Sequence, residues 1–227
     1  MKLSVIIPIY NERDTLSELL ARVRAVDVEK EIICVDDCST DGTRQILAEE
    51  AQRGDLVVIE HPANRGKGAA VQTGLQAVSG DAIVIQDADL EYDPEDYHVL
   101  LRPILAGRAK VVYGSRFLGA ERRAMRYWHS VGNKTLTQLT NVLYDTTLTD
   151  METCYKMFTA DVARKLHLRE PRWGFDPEIT AQILRAGHRI YEVPITYAGR
   201  EYEDGKKISW RDGFVVLRTL VRCRFGR

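Results

Sequence analysis

Ile83-Val84-Ile85-Gln86-Asp87-Ala88-Asp89-Leu90-Glu91 is an apolar strand that runs directly into two aspartates one residue apart. Consecutive apolar residues without alternation read as a strand buried on both faces of a parallel sheet. Carboxylates at its carboxyl end then lie in the crevice where open α/β sheets bind ligands. Hard cations take one or two carboxylates together with substrate phosphate oxygens, so this tripeptide is a candidate metal site. Aspartates also follow strands as turn residues or helix N-caps, and the tripeptide alone leaves both readings open.

Working outward, the preceding chain alternates strands and helices. Leu3-Ser4-Val5-Ile6-Ile7-Pro8 is a β-branched run, and Asn11-Glu12-Arg13-Asp14-Thr15 caps a helix reaching about Val26. Glu31-Ile32-Ile33-Cys34-Val35-Asp36-Asp37 is a second strand ending in paired aspartates, and a helix follows Ser39-Thr40-Asp41-Gly42 through Gln52. Leu56-Val57-Val58-Ile59 is the third strand. This β-α-β-α-β order is that of a nucleotide-binding half-sheet, Rossmann-like and mostly parallel. His61-Pro62-Ala63-Asn64-Arg65-Gly66-Lys67-Gly68 is a basic glycine-rich loop opening a helix over 69–78. It fits neither standard phosphate-binding motif, and it reads either as a phosphate cradle or as a solvated turn. Asp93-Pro94-Glu95 restarts a helix toward Leu105, and a fifth strand spans Lys110 to Gly114.

Beyond Ser115-Arg116 the organisation changes. Arg122, Arg123, Arg126 and Lys134 cluster around Tyr127, Trp128 and His129. A helix there aligns Trp128, Val131, Thr135, Leu139 and Val142, a stripe read first as core and second as lipid-facing. Arg126 and Ser130 share a face that suits a bound anion. A strand follows the acidic loop at 148–153, helices are expected over 160–166 and 177–186, and a last strand over 189–195. Residues 199–207 form a charged loop fit to be a lid. In the final segment Trp210, Phe214, Leu217 and Val221 recur at helical spacing among Arg211, Arg218, Arg222, Arg224 and Arg227. Such a basic amphipathic helix either lies in an anionic membrane interface, each arginine worth about 1 kcal/mol, or packs on the protein.

Length and charge bound the possibilities. The 227 residues suit one domain, with a nucleotide-binding half over 1–115, a second half over 116–207 and the basic tail over 208–227. With 32 basic and 33 acidic residues, net charge gives no reason to expect a nucleic-acid partner. Cys34, Cys38, Cys154 and Cys223 form no C-x-x-C pair, which argues against zinc and disulfides and for a reducing, cytoplasmic setting. The longest uncharged run, 68–80, is polar and too short to span a bilayer, and the N-terminus lacks the shape of a signal peptide.

The chain as a whole resembles a family, the inverting GT-A glycosyltransferases of the dolichol-phosphate mannose synthase type. The carriers are Val5-Ile6-Ile7-Pro8-Ile9-Tyr10-Asn11-Glu12, Val35-Asp36-Asp37-Cys38-Ser39-Thr40-Asp41-Gly42-Thr43, Asn64-Arg65-Gly66-Lys67-Gly68, Asp87-Ala88-Asp89-Leu90, Gly114-Ser115-Arg116 and Glu192-Val193-Pro194-Ile195. The resemblance implies a GT-A fold with interfacial helices and a nucleotide-sugar donor, GDP-mannose or UDP-glucose. It also implies Mg²⁺ or Mn²⁺, and a polyprenyl or dolichyl phosphate acceptor met on the cytoplasmic face of a membrane, directly or through an anchored partner. By position, Pro8, Tyr10, Glu12, Asp37 and Asp87 match donor-nucleoside contacts, and Lys67 joins the donor-binding set. Asp89 matches the metal ligand, with Glu91 beside it. Arg116, Arg126 and Ser130 match the grip on the acceptor phosphate, and Arg200 with Lys207 matches the loop over the donor diphosphate. Where relatives have a Gly or Ser and an aromatic-Arg pair, this chain has Met151-Glu152-Thr153-Cys154-Tyr155-Lys156, which leaves the sugar open.

Two other readings remain at this level. The same fold transfers sugar to a soluble hydroxyl acceptor, with Asp150 or Glu152 as the base that acceptor requires. Alternatively, the chain is a nucleotide-binding regulatory protein without catalysis.

Overall fold

The computed structural model describes residues 1–119, 125–172, 174–199 and 212–226. The first half follows the alternation read from the sequence: β1 (Leu3–Ile9), α1 (Leu16–Ala25), β2 (Lys30–Asp36), α2 (Thr43–Ala51), β3 (Leu56–Glu60), α3 (Lys67–Leu75) and β4 (Ala82–Ile85). A 3₁₀ turn at Pro94–Asp96, capped by the Asp93 side chain on the Glu95 N–H, leads into α4 (Tyr97–Leu105). The second half comprises β5 (Val111–Ser115), α5 (Tyr127–Tyr144), β6 (Lys156–Thr159), α6 (Ala160–Ala163), α7 (Phe175–Arg185), β7 (Tyr191–Pro194) and α8 (Asp212–Phe225).

The described strands form one sheet in the order β3-β2-β1-β4-β6-β5-β7. All neighbours are parallel except β6, which runs antiparallel to both β4 and β5. Every residue of β1 is buried, which is what a central strand covered by helices on both faces requires. α1 supplies part of that cover with Leu16, Leu19, Leu20 and Val23, the i, i+3, i+4, i+7 spacing of a single helical face. α3 lies against the sheet because Gly74 has no side chain: a Cβ there would meet Ile6 Cγ2 at 2.5 Å. The main apolar cluster runs from Leu3 to Tyr197 and fills both sides of the sheet.

One expectation is corrected in part. The α5 stripe meets the core at Leu139 but not along its length: Trp128 and Val142 are 77% and 73% exposed, and Thr135 is exposed. The helix buries Thr137 and Thr140 instead, and packs Leu136, Leu139 and Leu143 around Leu148, Met151, Val216 and Leu220. In α8 the buried positions are Val216, Thr219 and Leu220, one step round from the stripe singled out in the sequence. Phe214, Leu217 and Val221 point outward, and Phe225 is 72% exposed beside them. Trp210, Arg211, Arg227, Arg122 and Arg123 lie outside the described residues.

Candidate active site

Parallel pairing of β1 with β2 and β4 puts the carboxyl ends of these strands along one edge of the sheet. Among the described residues four non-glycines have φ in the left-handed region, and three sit at that edge: Asn11 (54°), Cys38 (66°) and Leu90 (61°). Strained backbone of this kind persists where surrounding contacts fix it, and here they do. Asn11 Oδ1 accepts from the Thr40 N–H at 2.8 Å, the Asn11 N–H donates to Ser39 Oγ, and the Glu12 N–H donates to Thr43 Oγ1. Pro8, Tyr10 and Glu12 are thereby held against the loop that carries Asp37.

Asp37 is buried and faces the glycine-rich loop. Its carboxylate accepts the backbone N–H groups of Arg65 (2.8 Å) and Gly66 (2.6 Å) and pairs with His61 Nδ1 at 2.7 Å. The loop then opens α3 at Lys67, whose ammonium lies 2.7 Å from Asp87. Burial alone would lower the Lys67 pKa, but Asp87 more than offsets it, and the Asp87 carboxyl is correspondingly held below its usual range despite its own burial. A Cβ on Gly68 would run into the backbone of Glu170 and Pro171, so the segment before α7 seats the start of α3 from behind.

Asp89 and Glu91 follow on the same turn. Asp89 Oδ1 accepts the Glu91 N–H at 3.1 Å, and Glu91 Oε2 accepts from the Tyr197 hydroxyl at 2.8 Å. No cluster of three or more His, Cys, Asp or Glu side chains suited to a metal occurs among the described residues. A hard cation bound with a nucleoside diphosphate needs only one or two carboxylates, and the oxygens of Asp89 and Glu91 at the strand end fit that requirement.

The second half meets the first at Tyr92 and Tyr197, which form an isolated bridge with rings 5.3 Å apart. Arg116 lies over the Tyr197 ring, 5.2 Å from its centroid. Its guanidinium is forked onto Asp150, with Nε and one terminal nitrogen each 2.7 Å from a carboxylate oxygen, and its backbone N–H donates to the same carboxylate. Both Asp150 oxygens are therefore committed. Glu192 in turn accepts the Thr149 and Asp150 N–H groups, which is the structural part played by Glu192-Val193-Pro194-Ile195. Arg126 stands just before α5 and Ser130 in its first turn, where the Ser130 N–H reaches the Arg126 carbonyl at 3.0 Å. Arg200 and Lys207 lie outside the described residues.

The floor of this site was missed by sequence reasoning. Gln86, one residue past β4, accepts from the hydroxyls of Tyr97 (2.6 Å) and Tyr155 (2.7 Å). Lys156 is fully buried, 2.6 Å from Asp176, and its ammonium also reaches the Thr153 carbonyl. A lysine opening a short apolar strand was the available signal, since a buried charge requires a partner. Glu152 has its pKa pushed up to about 7 by burial and then by Asp176, with Lys156 and Arg116 opposing.

The profile of the family described as Glycosyl transferase family 2 matches residues 4–166. The chain is 29% identical, over 97% of its length and 72% of the relative's, to a dolichyl-phosphate beta-glucosyltransferase of Trichomonas vaginalis. It is 31% identical, over 98% of its length and 67% of the relative's, to the undecaprenyl-phosphate 4-deoxy-4-formamido-L-arabinose transferase of Klebsiella pneumoniae. With the low-salt glycan biosynthesis hexosyltransferase Agl6 of Haloferax volcanii it shares 32% identity, and it spans 53% of that protein. Among solved structures it superposes on glucosyl-3-phosphoglycerate synthase from Mycobacterium tuberculosis, in complex with Mn²⁺, UDP and glucosyl-3-phosphoglycerate. The TM-score is 0.75 at 20% identity, covering 98% of this chain and 80% of that one, a likeness of fold.

Proposed function

This chain belongs to glycosyl transferase family 2, and from that premise we propose that it transfers a hexose from a nucleotide diphosphate to a polyprenyl phosphate at a membrane surface, with inversion. The observation that carries the acceptor is Arg126 at the start of α5, followed at once by Tyr127 and Trp128, 71% and 77% exposed. An anion grip beside exposed aromatic side chains suits a molecule with a phosphate head and an apolar tail. The outward Leu217, Val221 and Phe225 of α8, interleaved with Arg218 and Arg224, suit the surface in which such a lipid resides, whereas Arg222 is paired with Glu170 and Glu178. No helix among the described residues is long and apolar enough to cross a membrane, so the contact proposed is peripheral. The named substrates of the Trichomonas and Klebsiella relatives support the same acceptor class.

In the reaction, a phosphate oxygen of the acceptor bonds to the anomeric carbon as the bond to the donor diphosphate breaks, and the electron pair leaves with the diphosphate. With a second pKa of about 6, by analogy with phosphoryl side chains, the acceptor is already anionic at neutral pH and needs no base. Mg²⁺ or Mn²⁺ bound by Asp89 and Glu91 would supply charge stabilisation to the leaving diphosphate. Lys67 and the proposed Arg200 and Lys207 contribute positive charge around the donor. The donor is UDP-glucose or GDP-mannose.

Incubation with Mn²⁺, polyprenyl phosphate and either labelled donor is expected to move label into the lipid fraction. Failure with both donors rejects the proposal. A second reading, transfer to a sugar hydroxyl, is favoured by Glu152, whose pKa of about 7 suits a general base. Asp150 fits that part less well, because both its oxygens are held by Arg116. Label in free oligosaccharide and none in lipid would select this second reading.

A further inference from the structure

Glu152 and Thr153 are consecutive residues, and each carries a buried side-chain oxygen, Oε1 and Oγ1, with no hydrogen-bond partner among the described residues. Buried acceptors are paired almost without exception, and an orphan on a carboxylate calls for an explanation. The cations nearby do not supply one. Lys156 is committed to Asp176 and the Thr153 carbonyl, and Arg116 to Asp150.

The position of these orphans narrows what satisfies them. The next residue, Cys154, is pinned to the donor side of the sheet: its N–H donates to the Tyr92 hydroxyl at 3.0 Å and its thiol to the carbonyl of Ile85, the last residue of β4. Cys154 also lies against Asp87 and Lys67, so the turn that carries Glu152 borders the crevice that holds Asp87. The charged groups acting on it are Asp176 from α7, Lys156 from β6, Arg116 after β5 and Asp150 in its own turn. Both cations are already paired with carboxylates, which leaves none to meet an incoming phosphate. A neutral hydroxyl is a better match, since it donates to a carboxylate oxygen and accepts from a threonine hydroxyl.

We infer that Glu152, with Thr153 beside it, hydrogen-bonds ring hydroxyls of the donor hexose and so determines which hexose is accepted. This rests on the transfer to lipid phosphate proposed above, in which Glu152 is not needed as a base. A site built to bond a hydroxyl discriminates strongly against an analogue that lacks it, because its own polar atoms are then left unpaired.

The test is a set of donor titrations in the presence of Mn²⁺, followed by calorimetry. Wild type, Glu152→Gln and Glu152→Ala are titrated with UDP, UDP-glucose, GDP-mannose and the 2-, 3-, 4- and 6-deoxy analogues of both sugars. Wild type is expected to bind one deoxy analogue about 10- to 100-fold more weakly than its parent. Glu152→Ala is expected to bind that analogue and the parent equally while retaining wild-type affinity for UDP, a combination that a merely structural role does not produce. Retention of the full discrimination in Glu152→Ala overturns the inference, as does an equal fall in affinity for UDP. If wild type binds neither sugar donor, the proposed function fails and this assignment fails with it. If donors bind with the expected coupling and no label reaches lipid, only the acceptor is wrong.

Discussion

Asp87 and Asp89 stand one residue apart and face different partners. Asp87 is tied to Lys67 at 2.7 Å, and a metal ion competing for it would have to displace that ammonium. Asp89 leads instead into Leu90, whose left-handed φ of 61° turns the chain so that Glu91 follows on the same side as Tyr197. Asp89 and Glu91 are accordingly the metal ligands we propose for the site. Asp89→Ala should weaken Mn²⁺-dependent binding of UDP-glucose by at least about 100-fold, since loss of a mere outer-shell partner of a metal already costs about 10- to 100-fold. The measurement is a fluorescence titration with and without Mn²⁺, and an unchanged metal-dependent affinity would put the ion elsewhere. The tripeptide was legible in the sequence because a carboxylate at the end of a buried strand is local information. The pairing of Lys67 with Asp87 and the isolation of Glu152 were not, since they depend on side chains brought together from β4, α3, β6 and α7.

Among the elements, the amino ends of β1, β2 and β4 are fastened by one carboxylate. Glu31 accepts from the Lys2 ammonium, the Ser4 hydroxyl, the Ser79 N–H and hydroxyl, and the Gly80 N–H. Burial by itself would raise its pKa, but the bonds from Lys2, Ser4 and Ser79 outweigh burial and bring it to about 2. A depressed carboxyl pKa stabilises the fold above the unfolded value near 4.5, and the contribution is lost as pH falls through about 2. Glu31→Ala should therefore cost about 2 kcal/mol at pH 7 by leaving several donors unpaired. Urea unfolding at a series of pH values checks this: the gap from wild type should narrow between pH 4.5 and 2, and a constant gap contradicts the assignment. The limits of pattern reading also show at this scale. Helical periodicity located α5 and α8, but each carries apolar residues on more than one side, and spacing alone does not say which side meets the protein. The neighbour that decides, Leu136 and Leu139 against Val216 and Leu220, is a contact between helices far apart in the chain.

For the whole molecule, the uncovered apolar sides of α5 and α8 set an expectation about location. In flotation with anionic vesicles, Leu217→Ser combined with Phe225→Ser should lower binding at least about tenfold, the scale of losing one or two buried apolar side chains. Raised salt should weaken binding of the wild type through the exposed arginines. Equal recovery of both proteins with vesicles would refute the assignment of α8 to the interface. The order of strands up to β4 could be read from the alternation of strands and helices. The place of β6 could not: Lys156-Met157-Phe158-Thr159 is four residues long, and nothing local says that it runs antiparallel between β4 and β5.

That placement of β6 also constrains how the protein is made. β5 borders only β6 and β7, both of which follow it in the chain. During synthesis the four strands of the nucleotide half can pair as they emerge, whereas β5 has no seat until residues 156–159 have left the ribosome. Until then the edge of β4, Ala82–Ile85, is an open apolar template of the type that recruits foreign strands. The same inserted strand that brings Lys156 beneath the crevice is thus the last piece needed to close the middle of the sheet.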